Sequence, residues 1–138
     1  MKNILKYMSA AVAIPSVLLA ACSTNYNITG TSIQSFYDGD MVYLRPMDLH
    51  LTKAVDSCRI VHGTFNMSGA LDSVMCVRLF FGKTGDNIPI ILEEGNINVI
   101  DLNNAMKVEG TPLNDKFYSF MTKRDSLMYL LRELPRKE

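Results

Sequence analysis

A chain of 138 residues with 14 basic and 14 acidic side chains carries no net charge. That balance excludes nucleic acid as a partner and gives no strong electrostatic steering. Lys2 and Lys6 open the chain with positive charge, and Met8 to Ala21 are apolar or small, interrupted only by Ser9, Pro15 and Ser16. A stretch of that kind reads as a secretory signal, because it is shorter than the roughly 20 apolar residues of a membrane span.

The signal ends in Leu19-Ala20-Ala21-Cys22. This resembles the lipobox of bacterial lipoproteins, in which an apolar residue and two small residues fit the signal peptidase and the following cysteine accepts lipid on sulfur. The resemblance implies cleavage before Cys22, with Cys22 as the lipid attachment site carrying palmitate-type chains. The alternative is an ordinary signal peptide with a cysteine near its end. Removing 21 of 138 residues leaves 117, and loss of the two signal lysines leaves 12 basic against 14 acidic residues, a net charge of −2. That is one domain in size. Ser23 follows the cysteine, and no acid occurs up to Asn27. This resembles the sorting pattern for the periplasmic face of the outer membrane and makes the membrane, through the N-terminal lipid, the first expected partner. Residues 22–27 are read as anchor and short tether.

From residue 28 to 110 the pattern is that of an antiparallel β-sandwich of seven or eight short strands. Runs at 26–33 and 41–44 flank Asp38-Gly39, a strong hairpin pair. Runs at 56–61 and 64–68 flank His62-Gly63, and Phe65 and Met67 alternate with polar neighbours, so a half-buried hairpin is expected. Residues 73–81 are nearly all apolar, with Arg78 the one charge, so a central strand covered on both faces is expected. Runs at 88–93 and 96–102 meet at Glu94-Gly95, which reads as a hairpin turn, and 106–109 adds a closing strand.

The period changes after Gly110. Thr111-Pro112 offers an N-cap and a proline at the first helical position, where a missing N–H is harmless. Residues 111–138 are read as a C-terminal helix ended by Pro135. Leu113, Phe117, Phe120, Leu127, Leu131 and Leu134 recur at three- and four-residue steps, with Arg124 in the remaining place on the stripe. Two destinations are open for this stripe. It packs on the chain's own sandwich, or Phe117, Phe120, Met121, Leu127, Met128 and Leu131 form an interaction face for a partner or a second copy.

Several residue runs, taken in order, resemble a domain of unknown function found at the N-terminus of lipid-anchored, thioredoxin-like thiol-disulfide proteins of Gram-negative gut anaerobes. They are Ile28-Thr29-Gly30, Gly39 before Val42-Tyr43-Leu44-Arg45, Asp56-Ser57 leading to Val61-His62-Gly63-Thr64-Phe65, Ser68-Gly69, Ile91-Leu92-Glu93-Glu94-Gly95-Asn96-Ile97 and Gly110-Thr111-Pro112-Leu113-Asn114-Asp115. The resemblance implies a sandwich set between membrane anchor and redox domain, with no activity of its own. Longer members continue into a domain bearing Cys-x-x-Cys. No such pair occurs in this sequence, so thiol-disulfide exchange is not carried over. Either a separately encoded thioredoxin-like partner supplies that chemistry, or the module binds or spaces on its own account.

Candidate chemistry is sparse, and neither an enzyme nor a cofactor is expected. Cys58 and Cys76 fall on different strands and would bridge only if those strands are neighbours; otherwise they are small apolar residues or a redox pair. His50 has Asp48 nearby and His62 has no second ligand, so no metal is expected. Glu93 and Glu94 point to opposite faces if extended, which argues against acid–base work, and Asp38 and Asp40 read as turn residues. Ser57, Ser73 and Ser126 follow aspartates without a histidine to activate them. Asp72-Ser73-Val74 and Asp125-Ser126-Leu127 resemble an O-glycosylation acceptor of some bacterial envelope proteins.

Overall fold

The computed structural model describes residues 24–48, 50, 53–102 and 105–134. The signal segment, Cys22, Asn103, Asn104 and Pro135 lie outside these. Eight strands follow in chain order: β1 (Thr24–Thr31), β2 (Met41–Pro46), β3 (Asp56–Arg59), β4 (Phe65–Leu71), β5 (Met75–Phe81), β6 (Asn87–Leu92), β7 (Gly95–Leu102) and β8 (Ala105–Glu109). One helix, α1 (Pro112–Glu133), follows them. The strands form two four-stranded sheets, ordered β4-β1-β7-β8 and β3-β2-β5-β6.

The two sheets face each other across one apolar core, because inward positions alternate along each strand. Tyr26 and Ile28 of β1, Phe65 and Met67 of β4 and Ile97 and Val99 of β7 are buried on one side. Val42 and Leu44 of β2, Val77, Leu79 and Phe81 of β5 and Ile90 and Leu92 of β6 are buried on the other. Two glycines make room for cross-strand rings. Gly30 pairs with Phe65, and a Cβ on Gly30 would sit 2.0 Å from that ring. Gly69 pairs with Tyr26, and its Cβ would sit 2.8 Å from the tyrosine oxygen.

The sandwich is as expected from the alternating runs, but its wiring is not. Each of the three turns read as hairpins carries the chain from one sheet to the other. Asp38-Gly39, after a short 3-10 turn at Ser35–Tyr37, leads from β1 to β2 in the opposite sheet. His62 and Gly63 both adopt positive φ and close a single bridge between Val61 and Thr64, after which β3 and β4 diverge into different sheets. Glu94-Gly95 likewise separates β6 from β7. The true hairpins are β2–β3, β5–β6 and β7–β8. A turn residue specifies reversal of the chain, whereas the neighbour that accepts the ladder is set by which faces bury together.

Three further expectations need correcting. β1 and β7 pair in parallel, a relation the sequence reading did not anticipate. β5 is central in its sheet but covered on one face only, since Cys76 and Arg78 are exposed. Residues 24–27 belong to β1 and not to a tether.

Candidate interaction surface

α1 is attached to the sandwich by polar contacts, where a helix of this pattern would ordinarily use its apolar stripe. β8 and β6 are the last strands of their sheets, and the first turns of α1 cover both of these edges. Asn114, with no exposed surface, acts as a one-residue strand neighbour to β6. Its Oδ1 accepts from the Ile91 backbone N–H at 2.9 Å, and its Nδ2 donates to the Ile91 carbonyl at 2.7 Å. The same amide donates to Thr111 Oγ1 at 2.9 Å. Thr111 stands at the N-cap, as the sequence suggests, but its hydroxyl makes no capping bond. That acceptor comes from the buried Glu93, whose Oε1 takes the N–H groups of Leu113 at 2.8 Å and Asn114 at 3.1 Å. A carboxylate there also complements the positive end of the helix dipole. Asp115 Oδ1 accepts from Gly110 N–H at 2.9 Å. One turn later the Tyr118 hydroxyl donates to the Pro89 carbonyl at 3.0 Å, and burial pushes this phenol up to about 12.

Beyond that root the helix has nothing beneath it. From Thr122 to Leu134 every residue is exposed. Helical geometry puts Asn114, Tyr118 and Met121 on one side and Leu113, Phe120, Leu127, Leu131 and Leu134 on another, about 140° away at 3.6 residues per turn. The contacts follow the first side, so beyond Phe117 the stripe does not pack on its own sandwich, contrary to the first of the two expected destinations. Phe117 and Met121 are half-buried at the root. Phe120 is 62%, Leu127 61%, Met128 47% and Leu131 55% exposed. Leu130 and Leu134 extend this apolar surface.

The direction of the helix is fixed by its contacts. Thr111 lies beside Gly95, and Gly95 pairs with Tyr26 near the start of β1. α1 therefore begins at the end of the sandwich where β1 begins. Asn114 then meets Ile91 and Tyr118 meets Pro89, so the helix runs toward the opposite end. From Tyr118 to Glu133 it spans about 22 Å at 1.5 Å per residue, whereas β6 has only two residues beyond Pro89. Its tip overshoots the sheets.

The two cysteines are kept apart. β2 lies between β3 and β5. Cys58 pairs with Val42, which pairs with Phe81, five positions along β5 from Cys76. That offset is about 17 Å, far beyond the roughly 7 Å limit between Cα atoms for a disulfide. Cys58 packs against the core, where burial raises its thiol pKa, and Cys76 faces outward. The structure thus corrects the candidate bridge, which required neighbouring strands. Cys76 joins Met47, Pro89, Ile90, Ile91 and Phe117 around an apolar notch of about 220 Å³ beneath the helix root. This is smaller than the roughly 300–1,000 Å³ of small-molecule sites.

The remaining candidates have structural work. Asp48 Oδ1 accepts from the His50 backbone N–H at 2.9 Å, and His62 sits in its turn. Asp40 is buried and ties a corner together, accepting from the N–H groups of Met41 and Lys83. Ser57 is exposed on β3. Ser73 lies on an exposed corner, and Ser126 donates to the Thr122 carbonyl within α1. Glu93 and Glu94 do diverge, one buried and one exposed. Among the described residues no helix is long and apolar enough to cross a membrane.

Sequence reasoning missed the outer face of the β2–β5 pair. Arg45 and Arg78 stand directly opposite, and the Arg45 guanidinium lies 4.5 Å from the Phe80 ring centroid and 5.3 Å from that of Tyr43. Alternation along β2 and β5 was the available signal. The rings hold Arg45 against the sheet and offset part of the like-charge repulsion.

The sequence matches the family described as Domain of unknown function (DUF4369) over residues 26–117, and the chain belongs to that family. The match covers the sandwich from Tyr26 onward and the first six residues of α1, as far as Phe117. No curated protein and no solved structure matches the chain.

Proposed function

We propose that this member of the DUF4369 family is a non-catalytic lipoprotein module of the cell envelope that holds a protein-binding helix away from the membrane. Lipid on Cys22 would anchor it at the periplasmic face of the outer membrane. In sequence Cys22 precedes Thr24, the start of β1, by two residues, and a link that short would keep a lipid anchor close to the end of the sandwich at which α1 begins. The observation that carries the reading is α1 itself. It is rooted by buried hydrogen bonds, directed away from the end at which β1 begins, and apolar where nothing of its own chain covers it. Such a surface is costly to leave in water unless it meets a partner. The alternative is a redox accessory: a form that cycles Cys58 and Cys76 as a pair gets no support from their placement on opposite faces, which leaves the form that acts with a separately encoded thioredoxin-like partner.

The test is expression of the full chain in a Gram-negative host with a clickable fatty-acid probe. The expected result is a labelled, processed protein in the outer-membrane fraction, with label and processing lost in Cys22→Ala. An unlabelled parent recovered from the soluble periplasm would refute the anchor.

A further inference from the structure

We infer that the partner of the exposed helix is a second copy of this chain, joined in a parallel two-stranded coiled coil over Phe120–Leu134. The inference rests on the anchored-module reading and adds the identity of the partner.

Leu113, Phe117, Phe120, Arg124, Leu127, Leu131 and Leu134 are spaced 4, 3, 4, 3, 4 and 3 residues apart. This strict alternation matches the a/d seam of a coiled coil, a face that a partner helix can fill. The exposed members form this seam, and the side that docks on the sandwich is a different one, so both contacts can exist at once. Phe120, Leu127, Met128, Leu130, Leu131 and Leu134 each leave on the order of 100 Å² in water. A symmetric pair would cover at most about 1,200 Å², at the low end of stable specific interfaces.

Two points favour a parallel, two-stranded arrangement, the first of them the proposed anchor. Anchors at the same end of every copy, with helices running away from that end, present neighbouring helices in the same direction. Co-tethering on one surface also raises their effective concentration, which a seam of two heptads needs. The second observation is Arg124, the one charged residue on the seam, which falls at an a position. Its guanidinium is folded onto the Asp125 carboxylate at 2.7 Å. A single polar a residue sets register and limits the number of strands, at a cost in affinity. A bilayer is excluded as the occupant by the direction of the helix, which carries the seam away from the anchored end.

The experiment places single cysteines in the full-length, membrane-anchored chain with Cys58→Ser and Cys76→Ser as background, followed by mild oxidation of envelopes and non-reducing electrophoresis. Leu127→Cys and Leu131→Cys are expected to give a cross-linked dimer as the major species, and Tyr129→Cys, on the far side of the helix, at least tenfold less. Arg124→Leu added to Leu127→Cys should raise the dimer yield at low expression. Leu131→Asp added to it should reduce the yield at least tenfold while protease resistance of the sandwich is unchanged. A membrane-localised, acylated chain that gives no Leu127→Cys dimer overturns the inference and leaves the anchored module standing. Dimers that form only between Arg124→Cys on one copy and Leu127→Cys on another overturn the parallel arrangement. Loss of membrane association in the parent is the separate failure of the anchor.

Discussion

Asn114→Ala tests whether a polar contact roots the helix. The substitution removes an acceptor for the Ile91 N–H and a donor to the Ile91 carbonyl, and leaves Thr111 Oγ1 without its amide partner. The site is fully buried, so each orphaned group costs about 1–3 kcal/mol, reduced where water reaches the edge of β6. Alanine recovers about 0.5 kcal/mol of helix propensity. The net expected loss is about 2–4 kcal/mol, which with a urea slope of about 1–3 kcal/mol/M moves the midpoint down by about 1–2 M. The chain has no tryptophan, so unfolding is followed by far-ultraviolet circular dichroism and tyrosine fluorescence. Hydrogen exchange should show the Ile91 amide and the amides of Leu113–Met121 losing protection together. Asn114→Asp keeps an acceptor but lacks the donor and sets a second carboxylate beside Glu93, so its loss should be at least as large. A midpoint within about 0.3 M of the parent, with Ile91 still protected, would refute the idea that this amide holds the helix on.

Other perturbations separate the same ideas. Gly30→Ala places a methyl into the Phe65 ring and should cost about 1–3 kcal/mol by urea unfolding, an overpacking penalty that Phe65→Leu partly relieves. Leu127→Ser should change the stability of the sandwich by less than about 0.5 kcal/mol, because its side chain touches solvent and not the core; a loss of 2 kcal/mol would mean the stripe packs on its own domain. Burial, aided by hydrogen bonds to Asp56 and Asp86, holds Tyr26 and Tyr37 at about 12, and burial does the same for Tyr118. These phenols are raised above the unfolded value of 10, so their contribution is complete below pH 10 and is lost as pH rises toward 12. Thermal melts at pH 9, 10 and 11 should show the midpoint falling across that window, and a flat profile would contradict it. Alkylation without reductant should modify both Cys76 and Cys58, the second more slowly because its thiol is packed and held protonated; protection of both would restore the disulfide.

What was legible in the sequence depended on local periodicity. The alternation of Phe65 and Met67 with polar neighbours marks a strand whatever its partners, and all eight strands lie close to the runs that suggested them. Gly30 and Gly69 have a packing reason that only pairing exposes. Nothing local says that Phe65 will cross over Gly30, or Tyr26 over Gly69. The six-residue stripe on α1 was visible, but its destination was not, since a 3–4 spacing describes a face and not what meets it. Asn114 and Glu93, the pair that decides which side docks, looked unremarkable because a buried amide is recognised only by the backbone groups it serves.

The amino-acid sequence by itself determined the class of the domain, the existence of the helix and the heptad spacing along it, because side-chain periods of two and about three and a half are properties of single segments. Tertiary structure alone decided that the tight turns are corners between sheets, that Cys58 and Cys76 face apart, and that the helix is held by an amide while its apolar side stays bare. Those outcomes depend on which backbone edges and faces satisfy one another across dozens of residues, and hydrogen-bond and burial demands of that range have no local signature.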